Sequence, residues 1–193
     1  RKGGYSECAD ADIIIVTAGV PRKEGQTRLD LAKTNTGVAR SIARSIMEYA
    51  DNPIIIVVSN PVDVNTYLIQ KETGLPKGRV IGTGTSLDTA RFRYLLSRHC
   101  KVDIRDIQGY ILGEHGDSQV PVWSTVNIAG EAVEHFLPSD PEEAEKKKAE
   151  IATKARTAGA DVISLKGATF DGIAMSVLRI VESILKDQNT VLP

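Results

Sequence analysis

Two stretches decide the fold class: Ala11–Ala18, ADIIIVTA, and Pro53–Asn60, PIIIVVSN. Both are short, β-branched and apolar at successive positions, the pattern of strands covered on both faces of a parallel sheet. Each runs out into small polar residues, Thr17-Ala18-Gly19 and Ser59-Asn60-Pro61. A shorter run, Arg79–Gly82 (RVIG), leads into Thr83-Gly84-Thr85. Helical patterns separate the three. Leu29–Ala50 sets Val38, Ile42 and Ile46 on one stripe, and Val62–Thr73 starts behind Pro61 and stops at Gly74. Strand–helix–strand–helix–strand at this spacing predicts right-handed crossovers and an α/β fold.

The texture changes after residue 100. Ile107–Leu112 and Val120–Ala129 read as antiparallel strands joined by a glycine-rich connection. Ser139-Asp140-Pro141-Glu142-Glu143 is a strong helix start, with a capping side chain, proline at the first helical position and acids in the first turn. That helix is expected to reach Lys166, with Glu145–Lys148 as a solvated face. Gly167 interrupts it, and Ala168–Lys186 reads as an amphipathic helix with Ile173, Val177, Ile180, Val181 and Ile184 inward. The expected division is 1–84 and 85–193. Both ends read as cut: a buried strand arrives within a dozen residues of Arg1, and Val191-Leu192-Pro193 follows a helix as if a strand should come next. The expectation is an internal portion of a longer chain.

Composition narrows the class. The 193 residues carry 24 Lys+Arg and 25 Asp+Glu, a net charge of −1, so no basic excess points to nucleic acid or anionic lipid. Hydrophobic residues at 41% and charged residues at 25% are ordinary globular values, which argues against disorder. The longest apolar runs are far short of a membrane span. Cys8 and Cys100 lie far apart and outside any CxxC spacing, so a zinc site or disulfide framework is not expected and a reducing, cytoplasmic setting fits.

Four segments could carry chemistry. Gly82-Thr83-Gly84-Thr85-Ser86-Leu87 follows a strand and opens a helix, but Leu87 replaces the third glycine of a dinucleotide fingerprint, and a simple strand-to-helix turn explains it. Its position still matters, because ligands of open parallel sheets lie beyond the carboxyl ends of the strands. Gly113-Glu114-His115-Gly116-Asp117-Ser118 flanks an imidazole with glycines, which suits proton transfer into a cavity and equally suits a turn histidine with an ordinary hydrogen bond. A metal held by Glu114, His115 and Asp117 fits poorly, since adjacent residues of an extended chain point oppositely. Asp88 and Arg91 are i, i+3 on a helix, either a surface ion pair or a carboxylate that orients an imidazole beside a guanidinium fork. Val20-Pro21-Arg22-Lys23-Glu24-Gly25-Gln26-Thr27-Arg28 is a polar connector with cations directly after a strand end. His99 and His135 read as surface residues.

The order of these pieces, TAGVPRKEGQTRLDL, VVSNPVDV, GTGTSLDTARFR, GEHGDSQVPVWS and KGAT, resembles the lactate/malate dehydrogenase family over nearly the whole chain. The resemblance implies the second half of a Rossmann-type parallel sheet followed by an α+β substrate domain, with the family's first βαβ unit and C-terminal helix absent. It implies NAD as cofactor, a small 2-hydroxy or 2-oxo acid as substrate, and a homo-oligomer, dimer or tetramer. It makes His115 the acid/base, Asp88 its orienting partner and Arg28 the group that polarises the carbonyl. Arg91 is to hold the substrate carboxylate, Asn60 to bond the reacting oxygen and touch the nicotinamide end, and Thr169 to line the pocket. Gly19, Val58, Ser59 and Thr83 become cofactor contacts, with Tyr5 and Ser41 as further candidates. Arg22 occupies the loop position that carries arginine in malate enzymes and glutamine in lactate enzymes. Glu114, Trp123 and Thr169 look lactate-like, so lactate and pyruvate are the expected pair, with malate, or a truncated module without catalysis, as alternatives. Arg93 matches one residue of the fructose 1,6-bisphosphate site of bacterial lactate enzymes, but Gln108 stands at its histidine position, which argues against that regulation.

Overall fold

The computed structural model describes residues 2–20 and 28–193, without the side chains of 28–31. The chain divides into two compact units, 1–83 and 84–193.

In the first unit, β1 (Ile13–Val16), β2 (Ile54–Val57) and β3 (Val80–Gly82) form a parallel sheet in the order β1-β2-β3. Val16 pairs with Val57 and Val57 with Gly82, so all three strands end at the same edge. Helices α1 (Arg28–Met47) and α2 (Val62–Thr73) provide the crossovers. Central β2 buries Ile55, Ile56 and Val57 completely, as its unbroken apolar run requires. The expectation that β1 is covered on both faces fails at Ile15, which is 43% exposed. Strand β1 has a paired neighbour on one side only among the described residues, and Ile15 points away from the face on which Ile14 and Val16 pack in the cluster with Ala39, Ala43 and Ile46 of α1. Gly74 closes α2 in the left-handed region at φ 66°, which favours a residue without a Cβ. The Asn60–Pro61 peptide bond is cis.

In the second unit, α3 (Ser86–Cys100), α4 (Pro141–Lys166) and α5 (Asp171–Leu185) accompany two small antiparallel sheets. The strands expected over 107–112 and 120–129 exist only as two-residue pieces. These are β4 (Ile107–Gln108), β5 (Ile111–Leu112), β6 (Val120–Pro121) and β7 (Asn127–Ile128), with β8 (Glu131–Ala132) following. Pairings are β4 with β7, β7 with β8, and β5 with β6. Gly109 and Tyr110 separate the first two pieces, and a short 3-10 turn at Trp123–Thr125 separates the others. Asp140 caps α4 as its sequence predicts, accepting from the N–H groups of Glu142 and Glu143. Gly167 ends that helix at φ 81°. Lys148 departs from the solvated face expected for 145–148. It is largely covered, pairs with Glu145 and Glu134, and lies over the Trp123 ring. In α5, Ile180 is buried and Ile173, Val177, Val181 and Ile184 are half-buried. Among the described residues no helix is long and apolar enough to cross a membrane.

Candidate active site

The buried stripe of α3 explains the site's centre. Asp88, Thr89, Phe92 and Leu96 follow helical spacing, so the face that packs Phe92 and Leu96 into the core also carries a carboxylate inward. Asp88 is 2% exposed. A charge there is tolerable only with partners, and it has two. Its Oδ2 lies 2.6 Å from His115 Nδ1, and its Oδ1 lies 3.5 Å from Arg91 Nη1. The i, i+3 pair is therefore no exposed ion pair: Arg91 is mostly covered and Asp88 almost wholly so. A carboxylate only accepts, so the proton between Asp88 and His115 belongs to Nδ1, which sets the ring's orientation and tautomer.

His115 sits in the turn between β5 and β6. Gly113, at φ 92°, turns the chain out of β5. Ser118 Oγ donates to Glu114 Oε2 at 2.6 Å, and Arg156 of α4 donates to the Asp117 carbonyl at 3.5 Å. Arg91 lies over Gly159 of α4, where an added Cβ would sit 3.5 Å from Nη1 and 3.6 Å from Nη2. Thr169, half-buried, lies in the connection from α4 to α5.

In the first unit, Gly19, Val58, Ser59, Asn60 and Thr83 emerge at the shared carboxyl edge of the sheet. Ser59 Oγ donates to the Ala18 carbonyl at 2.5 Å, and Thr83 N–H to the Val57 carbonyl at 2.9 Å. Asn35 of α1 accepts from Val20 N–H at 2.8 Å and donates to the Asn60 carbonyl at 2.8 Å, stitching two strand ends together. Gly19 and Asn60 are exposed there, and Gly19 offers bare backbone, so a flat ring could approach this edge closely. Tyr5 lies in a short 3-10 turn and Ser41 on the exposed side of α1, and no described contact joins either to that edge. Arg22 lies outside the described residues. Arg28 opens α1, and its side chain is outside them too.

The sequence reading overlooked Asn35, Gly159, and the threonines Thr85 and Thr89, whose hydroxyls bond the backbone of Ile111. The only sequence signal for the last two is their i, i+4 spacing around Asp88. Arg93 serves elsewhere: its Nε donates to the Gly109 carbonyl at 2.9 Å and its guanidinium lies over the Tyr110 ring. With Gln108 it lines a cavity of about 700 Å³ beside α5 that includes none of Asp88, Arg91 and His115. His99 is only half-exposed, and its Nε2 is buried without a partner, so it is not the simple surface residue expected.

Residues 1–82 match the lactate/malate dehydrogenase NAD binding domain, and residues 85–193 match the lactate/malate dehydrogenase alpha/beta C-terminal domain. The chain belongs to the lactate/malate dehydrogenase family. Among its relatives in that family, the L-lactate dehydrogenase of Acetivibrio thermocellus is 46% identical, covering 99% of this chain and 61% of the relative. L-lactate dehydrogenase 2 of Bacillus cereus is 46% identical over 98% of this chain and 60% of the relative. The solved structure of the minor L-lactate dehydrogenase of Enterococcus mundtii in its ligands-bound form has a TM-score of 0.94 and 46% identity, covering 99% of this chain and 61% of that one. The chain spans about three fifths of the length of the relatives it matches. Membership of the lactate/malate dehydrogenase family bears out the α/β class read from the strand and helix pattern.

Proposed function

We propose that the intact protein is an NAD-dependent L-lactate dehydrogenase of the cytoplasm, interconverting (S)-lactate and pyruvate as a homo-oligomer. The observation that carries this is one buried carboxylate, Asp88, held against both His115 and Arg91. In the oxo-acid direction His115 gives a proton from Nε2 to the carbonyl oxygen as the alcohol forms; in the reverse direction it takes that proton back. Asp88 keeps the ring in the tautomer that leaves Nε2 for this exchange and stabilises the imidazolium. The planar fork of Arg91 holds the substrate carboxylate through two parallel hydrogen bonds. Asn60 bonds the reacting oxygen, Thr169 lines the pocket, and Arg28 stabilises charge that develops on the carbonyl in the transition state.

NAD, when bound, supplies or accepts the hydride. The carboxyl edge of the sheet fits its nicotinamide end, with Gly19, Val58, Ser59, Asn60 and Thr83 as the holding residues and Tyr5 and Ser41 as further contacts. The names of the relatives support lactate over malate.

The test is turnover of pyruvate with NADH by the intact protein and its His115→Asn variant. Asparagine keeps a polar side chain but cannot exchange the proton, so turnover is expected to fall by at least the roughly 10²–10⁴-fold that acid–base catalysis contributes. Near-normal turnover overturns the assignment of His115.

A further inference from the structure

We infer that Thr89, together with Thr85, is a positioning residue that sets the catalytic histidine against its carboxylate, a role that rests on the reading of His115 as the acid/base. Ile111 starts β5 and is completely buried. Its N–H donates to Thr89 Oγ1 at 2.9 Å, while its carbonyl accepts from Thr85 Oγ1 at 2.5 Å and from Thr89 Oγ1 at 3.4 Å. Both threonines are themselves buried, at 2% and 4% exposure. Two hydroxyls one helical turn apart thus bind the backbone N–H and carbonyl of a single residue in a different element, 22 residues away from Thr89 in the chain.

The placement of that bracket gives it consequence. Thr89 is the residue next to Asp88, and Ile111 begins the segment Ile111-Leu112-Gly113-Glu114 that leads to His115. Strand β5 pairs with β6 through only two residue pairs, Ile111 with Pro121 and Leu112 with Val120. So short a ladder fixes the turn weakly by itself. The threonine hydroxyls tie its root directly to the helix that carries Asp88 and Arg91. A residue needed only to fill this space could be valine, which has nearly the same shape. The hydroxyl is what satisfies the buried N–H and fixes the register.

The experiment compares the intact protein with Thr89→Val, Thr89→Ser and Thr85→Val. Two quantities are measured: kcat and KM for pyruvate, and the low-field proton resonance of the His115 imidazole N–H, identified by its loss in His115→Asn. Thr89→Val is expected to shift or broaden that resonance. It is also expected to lower kcat by between about tenfold and a hundredfold, as small misplacements of a reacting group do, with a smaller change in KM. Thr89→Ser restores both. Thr85→Val, which leaves the Ile111 N–H paired, moves the same resonance and provides the readout if Thr89→Val does not fold. A Thr89→Val protein that loses only thermal stability, with resonance and kcat as in the parent, overturns the proposal. So does an unchanged resonance in Thr85→Val. If the parent turns over no 2-oxo acid while the resonance responds as described, the dehydrogenase reading fails and the positioning role stands.

Discussion

Asp88 makes the case for the site at the scale of single residues, because one side chain satisfies two demands. Its two oxygens divide between an imidazole and a guanidinium, so neither partner can leave without exposing a buried charge to an apolar surround. The same arrangement makes the roles proposed for His115 and Arg91 separable by experiment. Arg91→Lys retains a positive charge but not the fork, so it is expected to raise KM for pyruvate by roughly ten- to a hundredfold, taking a charge-assisted hydrogen bond at about 1.5–3 kcal/mol. Steady-state kinetics checks this, and an unchanged KM removes Arg91 from carboxylate binding. His115, Asp88 and Arg91 were legible in the sequence because local features mark them: two glycines around a histidine, and an i, i+3 pair on a helix. Thr85 and Thr89 were not. What they bind is a backbone group far along the chain, and a main-chain partner leaves no signature in side-chain spacing.

Among the elements, helices were easier to read than the short strands, for a physical reason. Caps act within a turn of the residues that provide them, so Asp140, Pro141 and Gly167 delimit α4 from the sequence alone. The pieces from β4 to β7 are two residues each and owe their pairing to contacts across the second unit, so reading Ile107–Leu112 and Val120–Ala129 as continuous strands over-extended them. Helix α4 also does something no cap reveals: at Gly159 it leaves room for the Arg91 guanidinium. A methyl group there only touches the nitrogens, so Gly159→Ala should behave like the parent, with a small gain in helix propensity. Valine extends past that contact distance and displaces the fork. Gly159→Val is therefore expected to raise KM for pyruvate about tenfold, without loss of stability from the helix itself, because valine is no worse a helix former than glycine. Comparing KM with the thermal unfolding midpoint checks this, and a Gly159→Val protein that keeps its KM shows that Arg91 is not seated there.

At the scale of the whole molecule, the strand and helix pattern set the α/β class and the sheet, but the proposed substrate preference rests on residues from separate parts of the chain. Glu114, Trp123 and Thr169 read as lactate-like, and so do the relatives, while Arg22 alone reads as malate-like. The difference between the two oxo acids is one carboxylate, so the matter reduces to whether a second cation meets it. If Arg22 faces the substrate, Arg22→Gln removes a charge-assisted bond that only oxaloacetate can form. The expected loss in kcat/KM for oxaloacetate is roughly ten- to a hundredfold, with pyruvate little changed. The ratio of the two specificity constants, taken on intact parent and variant, is the measurement. A ratio that does not move means that Arg22 makes no contact with the second carboxylate and that discrimination lies with the residues on the lactate-like side.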